Sequence, residues 1–111
     1  MSDCLFCRII QKEIPAKTVY EDQDTLVFED IHPQAPVHCL VIPKKHIPSI
    51  NNLTEEDSAL LAKVMQTARK TAMDKGIDKS GYRMVINTNA EAGQTVFHLL
   101  VHLLGGRNMY W

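Results

Sequence analysis

Between Thr95 and Arg107 the chain reads Thr-Val-Phe-His-Leu-Leu-Val-His-Leu-Leu-Gly-Gly-Arg. If Phe97 to Leu104 is a strand, successive side chains alternate between two faces. Phe97, Leu99, Val101 and Leu103 then form a uniformly apolar face that belongs in the core, and His98, Leu100 and His102 form the other. Imidazole exchanges its proton near neutral pH and ligates metals, so such a face is open to proton transfer, nucleophilic attack or metal binding. Two plainer readings stand beside these: half-exposed polar residues on a solvated sheet face, or a histidine pair sharing one ion. A second candidate lies near the N-terminus, where Cys4-Leu5-Phe6-Cys7 is a CxxC. As a redox motif it would follow a strand within a βαβ unit, and that context is missing. As a metal motif it supplies two thiolates of the kind tetrahedral zinc accepts; otherwise it is two thiols on an amphipathic helix. Cys39 alternates with His38 and reads as a buried thiol.

These residues need elements to hold them. Asp3 is placed to cap a short helix from about Cys4 to Gln11, with Leu5, Phe6, Ile9 and Ile10 on one face and Pro15 forbidding continuation. Thr18 to Glu21 and Thr25 to Glu29 read as a hairpin turning through Asp22-Gln23-Asp24. The run His32-Pro33-Gln34-Ala35-Pro36 is a loop, because its prolines fix the backbone and remove donors. Val37 to Ile42 is a strand closed by Pro43. Thr54-Glu55-Glu56-Asp57 opens the long helix, with Thr54 as N-cap and Asp57 at the capping-box position. Leu60, Leu61, Val64, Met65, Ala68 and Ala72 recur at helical spacing and face the sheet, and Gly76 is the natural stop. Tyr82 to Asn87 and Phe97 to Leu104 are the last strands, joined by a polar loop from Thr88 to Thr95. The sum is an α+β plan: a mainly antiparallel sheet of about five strands with one long and one short helix.

Size and charge narrow the function classes. With 111 residues the chain forms one domain, 1–111. Its 45% hydrophobic content supports an ordinary core, though so small a domain gains from a partner copy or a bound metal. A formal net charge of −1, with acids and bases interspersed, leaves no electrostatic footprint for nucleic acid or an anionic membrane. No apolar run approaches the roughly 20 residues a membrane span needs. The opening Met-Ser-Asp-Cys-Leu-Phe-Cys has no basic lead or cleavage pattern, and three cysteines argue against a disulfide framework, so a cytoplasmic location is expected.

The stretch from Gln94 to Arg107 resembles the signature of the histidine-triad family, in which three histidines alternate with apolar residues before a glycine run. Pro15-Ala16-Lys17, Asp30-Ile31-His32-Pro33-Gln34-Ala35-Pro36, Val41-Ile42-Pro43-Lys44-Lys45-His46 and Gly81-Tyr82-Arg83-Met84-Val85 also resemble its nucleotide-binding branch. The resemblance implies a purine nucleoside phosphoramidase, a hydrolase that cleaves a phosphorus–nitrogen bond through attack by the middle histidine. That position is Leu100, which has no lone pair, so the expectation is nucleotide binding with turnover lost or strongly reduced. A non-catalytic, nucleotide-dependent interaction protein is the alternative. A hydrolase using His98 or His102 instead is disfavoured, because strand geometry sets those rings about 7 Å to either side.

The resemblance also distributes roles. His102 would contact the phosphate oxygens and the leaving group, and His38 would sit behind the nucleophile position and orient it. Asn87, Gly93, Gln94 and Thr95 would cradle the phosphate through backbone amides and side-chain donors. Asp30 would accept from the ribose hydroxyls, although alone it reads equally as a loop acid. Leu5, Phe6, Ile9, Phe28 and Ile31 would form the purine cleft for an AMP- or GMP-type ligand, with plain core as the alternative for Phe28 and Ile31. Relatives with this CxxC resemble zinc binders, which implies Cys4, Cys7, His46 and His98 as ligands of Zn²⁺. Relatives also form homodimers joined sheet edge to sheet edge, and often continue a few residues past the position of Trp111.

Overall fold

The computed structural model describes residues 3–110. The readings that involve Met1, Ser2 and the tail at Trp111 lie outside the described residues. The elements run α1 (Leu5–Ile10), β1 (Thr18–Glu21), β2 (Thr25–Glu29), β3 (Val37–Pro43), α2 (Ser58–Asp74), β4 (Tyr82–Val85) and β5 (Val101–Gly105). All strand pairs are antiparallel, in the order β1-β2-β3-β5-β4. The expected α+β architecture is therefore the observed one.

Alternation on the strands builds two apolar layers, one per face. Val27, Cys39, Val41, Val101 and Leu103 meet Val64, Ala68 and Ala72 of α2, with Ile77 closing the layer. Leu26, Phe28, Leu40 and Ile42 meet Phe6 and Ile9 of α1 on the opposite face. Cys39 is buried, as its alternation implies. The buried stripe of α2 also takes in Thr67 and Thr71, which an apolar pattern passes over. Their hydroxyls donate to the carbonyls of Lys63 and Thr67, each at 2.8 Å, so burial leaves no polar group unpaired.

Several boundaries differ from the sequence expectation. Cys4, not Asp3, caps α1, and its Sγ accepts the Cys7 amide at 3.3 Å. The turn Glu55–Asp57 is 3₁₀, and the Asp57 carboxylate accepts the Thr54 N–H at 3.0 Å before α2 proper begins. α2 stops as expected: Gly76 takes φ 74°, and its N–H and that of Ile77 return to the carbonyls of Met73 and Ala72 at 3.0 Å. The last strand is the largest difference. Val101 pairs with Val41, so Leu99 would next oppose Pro43, which has no N–H to continue the ladder. Residues 97–100 consequently leave the sheet, and the Leu99 N–H bonds the Ile47 carbonyl instead. Leu99 stays buried, but Phe97 is 50% exposed and does not join the core.

Candidate functional site

On the α1 side of the sheet a cleft of about 480 Å³ opens between α1, the loop after β2 and the loop before β5. Leu5, Phe6, Ile9, Phe28 and Ile31 supply apolar lining, and Phe6 and Phe28 pack edge to face with ring centroids 5.5 Å apart. Ile31 is 84% exposed at the rim, which removes the plain-core reading for that residue. Asp30, Asn87, Gly93, Gln94, Thr95, Leu100 and His102 complete the wall. Every residue expected to touch a nucleotide thus borders one cavity. Ile14, Ala16, Leu40 and Val96 border it too. Of these, Leu40 was open to sequence reasoning, since it shares a sheet face with His38 and stands opposite His102.

The loop before β5 is already occupied by its own hydrogen bonds, which changes its expected part. The amides of Gly93 and Gln94 donate to the carbonyls of Ala90 and Asn89 at 3.0 and 3.1 Å. The Gln94 carboxamide accepts the Asn89 N–H at 2.8 Å and donates to the Pro48 carbonyl at 2.7 Å and to that of Val96 at 3.2 Å. Gln94 therefore braces the loop instead of offering side-chain donors to a ligand. The side chains of Asn87 and Thr95 also line the cleft and make no such bond among the described residues.

Leu100 is half-buried and packs into the layer around Phe6, Phe28 and Leu40. His38 Nε2 lies 3.0 Å from His102 Nδ1 and 3.4 Å from Asp30 Oδ2. Burial pushes the pKa of His38 below the ordinary histidine value, against the pull of the Asp30 carboxylate. Burial, and then His38 itself, does the same to His102.

The CxxC group forms a separate cluster. Cys4 Sγ lies 3.3 Å from His98 Nδ1, Cys7 Sγ 3.3 Å from His46 Nδ1, and the two Nδ1 atoms are 3.3 Å apart. All four ligand atoms fall within 4.8 Å of one another. Metal–ligand bonds of roughly 2.0–2.3 Å at tetrahedral angles need edges of about 3.3–3.8 Å, so the donor set and its spacing fit zinc. His98 is fully buried, and its Nε2–H donates to the Pro43 carbonyl at 2.7 Å, which turns the Nδ1 lone pair toward the sulfurs. His98 also borders the cleft, but both its ring nitrogens are engaged, so it is no substitute nucleophile.

A five-stranded antiparallel sheet with this cleft on one face and a His-Leu-Leu-Val-His stretch at its floor defines a class of small histidine-lined α+β domains. A family model described as the scavenger mRNA decapping enzyme C-terminal binding region matches residues 3–109. An uncharacterised HIT-like protein of Synechocystis is 52% identical over 109 residues, covering 98% of this chain and 95% of that protein. The crystal structure of a HIT family hydrolase from Legionella pneumophila superposes with a TM-score of 0.97 at 53% identity, covering 98% and 97% of the two chains. A histidine triad nucleotide-binding protein from Candida albicans gives a TM-score of 0.85 at 30% identity, over 98% and 82%. The chain belongs to the histidine-triad family.

Proposed function

We propose that the protein binds purine nucleoside monophosphates of the AMP and GMP type in this cleft, as a relative of nucleoside phosphoramidases in which Leu100 has removed the attacking group. The observation that carries the reading is the cavity itself, whose lining joins aromatic and aliphatic side chains to His102, Asn87 and Thr95. Such a site suits a flat apolar base joined to an anion. The similarity to a nucleotide-binding protein of the same family supports it.

In a phosphoramidase an imidazole at position 100 would attack phosphorus, the phosphorus–nitrogen bond would break, and the amine would leave with a proton. Water would then hydrolyse the phospho-imidazole. Leu100 has no electron pair to begin that sequence. Zinc held by Cys4, Cys7, His46 and His98 would act structurally, since four protein ligands leave no open position for chemistry. A homodimer joined at a sheet edge, and a cytoplasmic location that keeps the thiols reduced, complete the reading.

Calorimetric titration with AMP and GMP, together with hydrolysis of an adenosine phosphoramidate, tests it. We expect binding by the Leu100 chain with negligible turnover, and a gain on the order of 10³-fold or more in Leu100→His. Absence of binding at millimolar nucleotide, or equal turnover by the two proteins, would overturn it.

A further inference from the structure

The Gly105-Gly106-Arg107 run at the end of β5 places a guanidinium beside the loop that precedes β3. A Cβ on Gly105 would meet Ile77 Cδ1 at 2.6 Å. Gly106 takes φ 93° against the Pro36 ring, where a Cβ would lie 2.9 Å from the Pro36 Cβ. These close approaches set the chain beside the loop that precedes β3. From there Arg107 Nε and Nη2 both donate to the Gln34 carbonyl, at 3.1 and 2.9 Å, and Nη1 donates to the Asn108 carbonyl at 2.8 Å. The Gln34 amide in turn donates to His38 Nδ1 at 3.0 Å.

A backbone N–H has only one role, so His38 Nδ1 must hold a lone pair and the His38 proton must sit on Nε2. Two N–H groups cannot face each other at 3.0 Å, so His102 Nδ1 is the acceptor and the His102 proton sits on its own Nε2. Among the described residues that nitrogen makes no hydrogen bond, and His102 lines the cleft. We propose that Arg107 is a positioning residue: by holding the Gln34 carbonyl it fixes the Gln34 backbone, whose N–H sits on His38 Nδ1, and through His38 it locks His102 as the Nε2–H tautomer, a neutral donor aimed at the anionic end of the ligand.

The same chain of bonds argues against a metal among Asp30, His38 and His102, although their ligand atoms lie within 4.8 Å of one another. Metal at His38 Nε2 would force the proton onto Nδ1, against the Gln34 N–H. The downward pKa shifts of both rings agree with a pair that stays neutral. The ligand contact rests on the nucleotide reading above; the tautomer does not.

Long-range proton–nitrogen NMR of the imidazoles, with AMP titration, tests the relay. In the natural chain we expect His38 and His102 both as Nε2–H. Arg107→Ala is expected to turn His102 into a tautomer mixture and to weaken AMP binding about tenfold. Arg107→Lys, which keeps one donor near the Gln34 carbonyl, should recover most of both. A natural chain with His102 as Nδ1–H overturns the relay. So does Arg107→Ala with an unmixed Nε2–H pattern, whatever its affinity, because Arg107 would then act on the ligand by charge alone. The expected tautomer response without AMP binding would keep the relay and refute the nucleotide reading.

Discussion

Leu100 and His102 lie two positions apart on one stretch of backbone and meet opposite surroundings. Leu100 packs with Phe6, Phe28 and Leu40, where an aliphatic group gains from burial. His102 is tied to His38 and Asp30, where burial favours an uncharged ring. The pH consequence follows from the direction of those shifts. Unfolded histidines take up a proton near pH 6.5, while in the folded chain His38 and His102 resist it. Above that pH both states hold the rings neutral and stability is flat. Below it the unfolded state binds more protons, so stability falls with falling pH. We expect the melting temperature to drop as pH is lowered from 7 to 5, and His38→Gln to shallow that slope. An unchanged slope in His38→Gln would refute the assignment.

At the scale of elements, the cysteine–histidine cluster joins pieces distant in sequence. Cys4 and Cys7 belong to the start of α1, His46 to the segment after β3, and His98 to the stretch that leaves the sheet before β5. Lys45, next to His46, also reaches the capping carboxylate of Asp57 at 2.6 Å, which ties that segment to the approach to α2. An ion bound there stabilises the folded chain by mass action, about 4 kcal/mol when free metal exceeds its Kd a thousandfold. We expect one zinc per chain by elemental analysis and a melting temperature that falls on chelation. Cys7→Ser should abolish both. A protein that melts identically with zinc and with chelator would remove the metal from the account.

For the whole molecule, the sheet order leaves β1 and β4 as edges. β1 is irregular, with a register shift between Thr18 and Tyr20, a device that discourages further pairing. β4 pairs without interruption with β5 on one side, and Met84 on it is 38% exposed. An edge of that kind is the natural place for a second copy. We expect light scattering to give twice the monomer mass at micromolar concentration. A monomer there would sink the homodimer reading and leave the cleft, which is built within one chain, untouched.

Local rules carried much of this protein. Hairpin, long helix, helix stop and the alternation of the central strands follow from turn residues, a capping box, a glycine and a two-residue period, all read over a few neighbouring positions. The histidine spacing was likewise plain in the linear order, and the family resemblance singled out Leu100 between the two rings. Contacts between distant segments decided the rest. The last strand is short because Pro43 stands opposite Leu99, and Gln94 braces its loop because the Pro48 carbonyl is within reach. His38 meets His102 because β3 and β5 pair, and the Gln34 N–H on its Nδ1 fixes which of its nitrogens carries the proton. A sequence states which groups are present and how they repeat. Which donor meets which acceptor is settled when the sheet and its loops bring remote backbone atoms to about 3 Å.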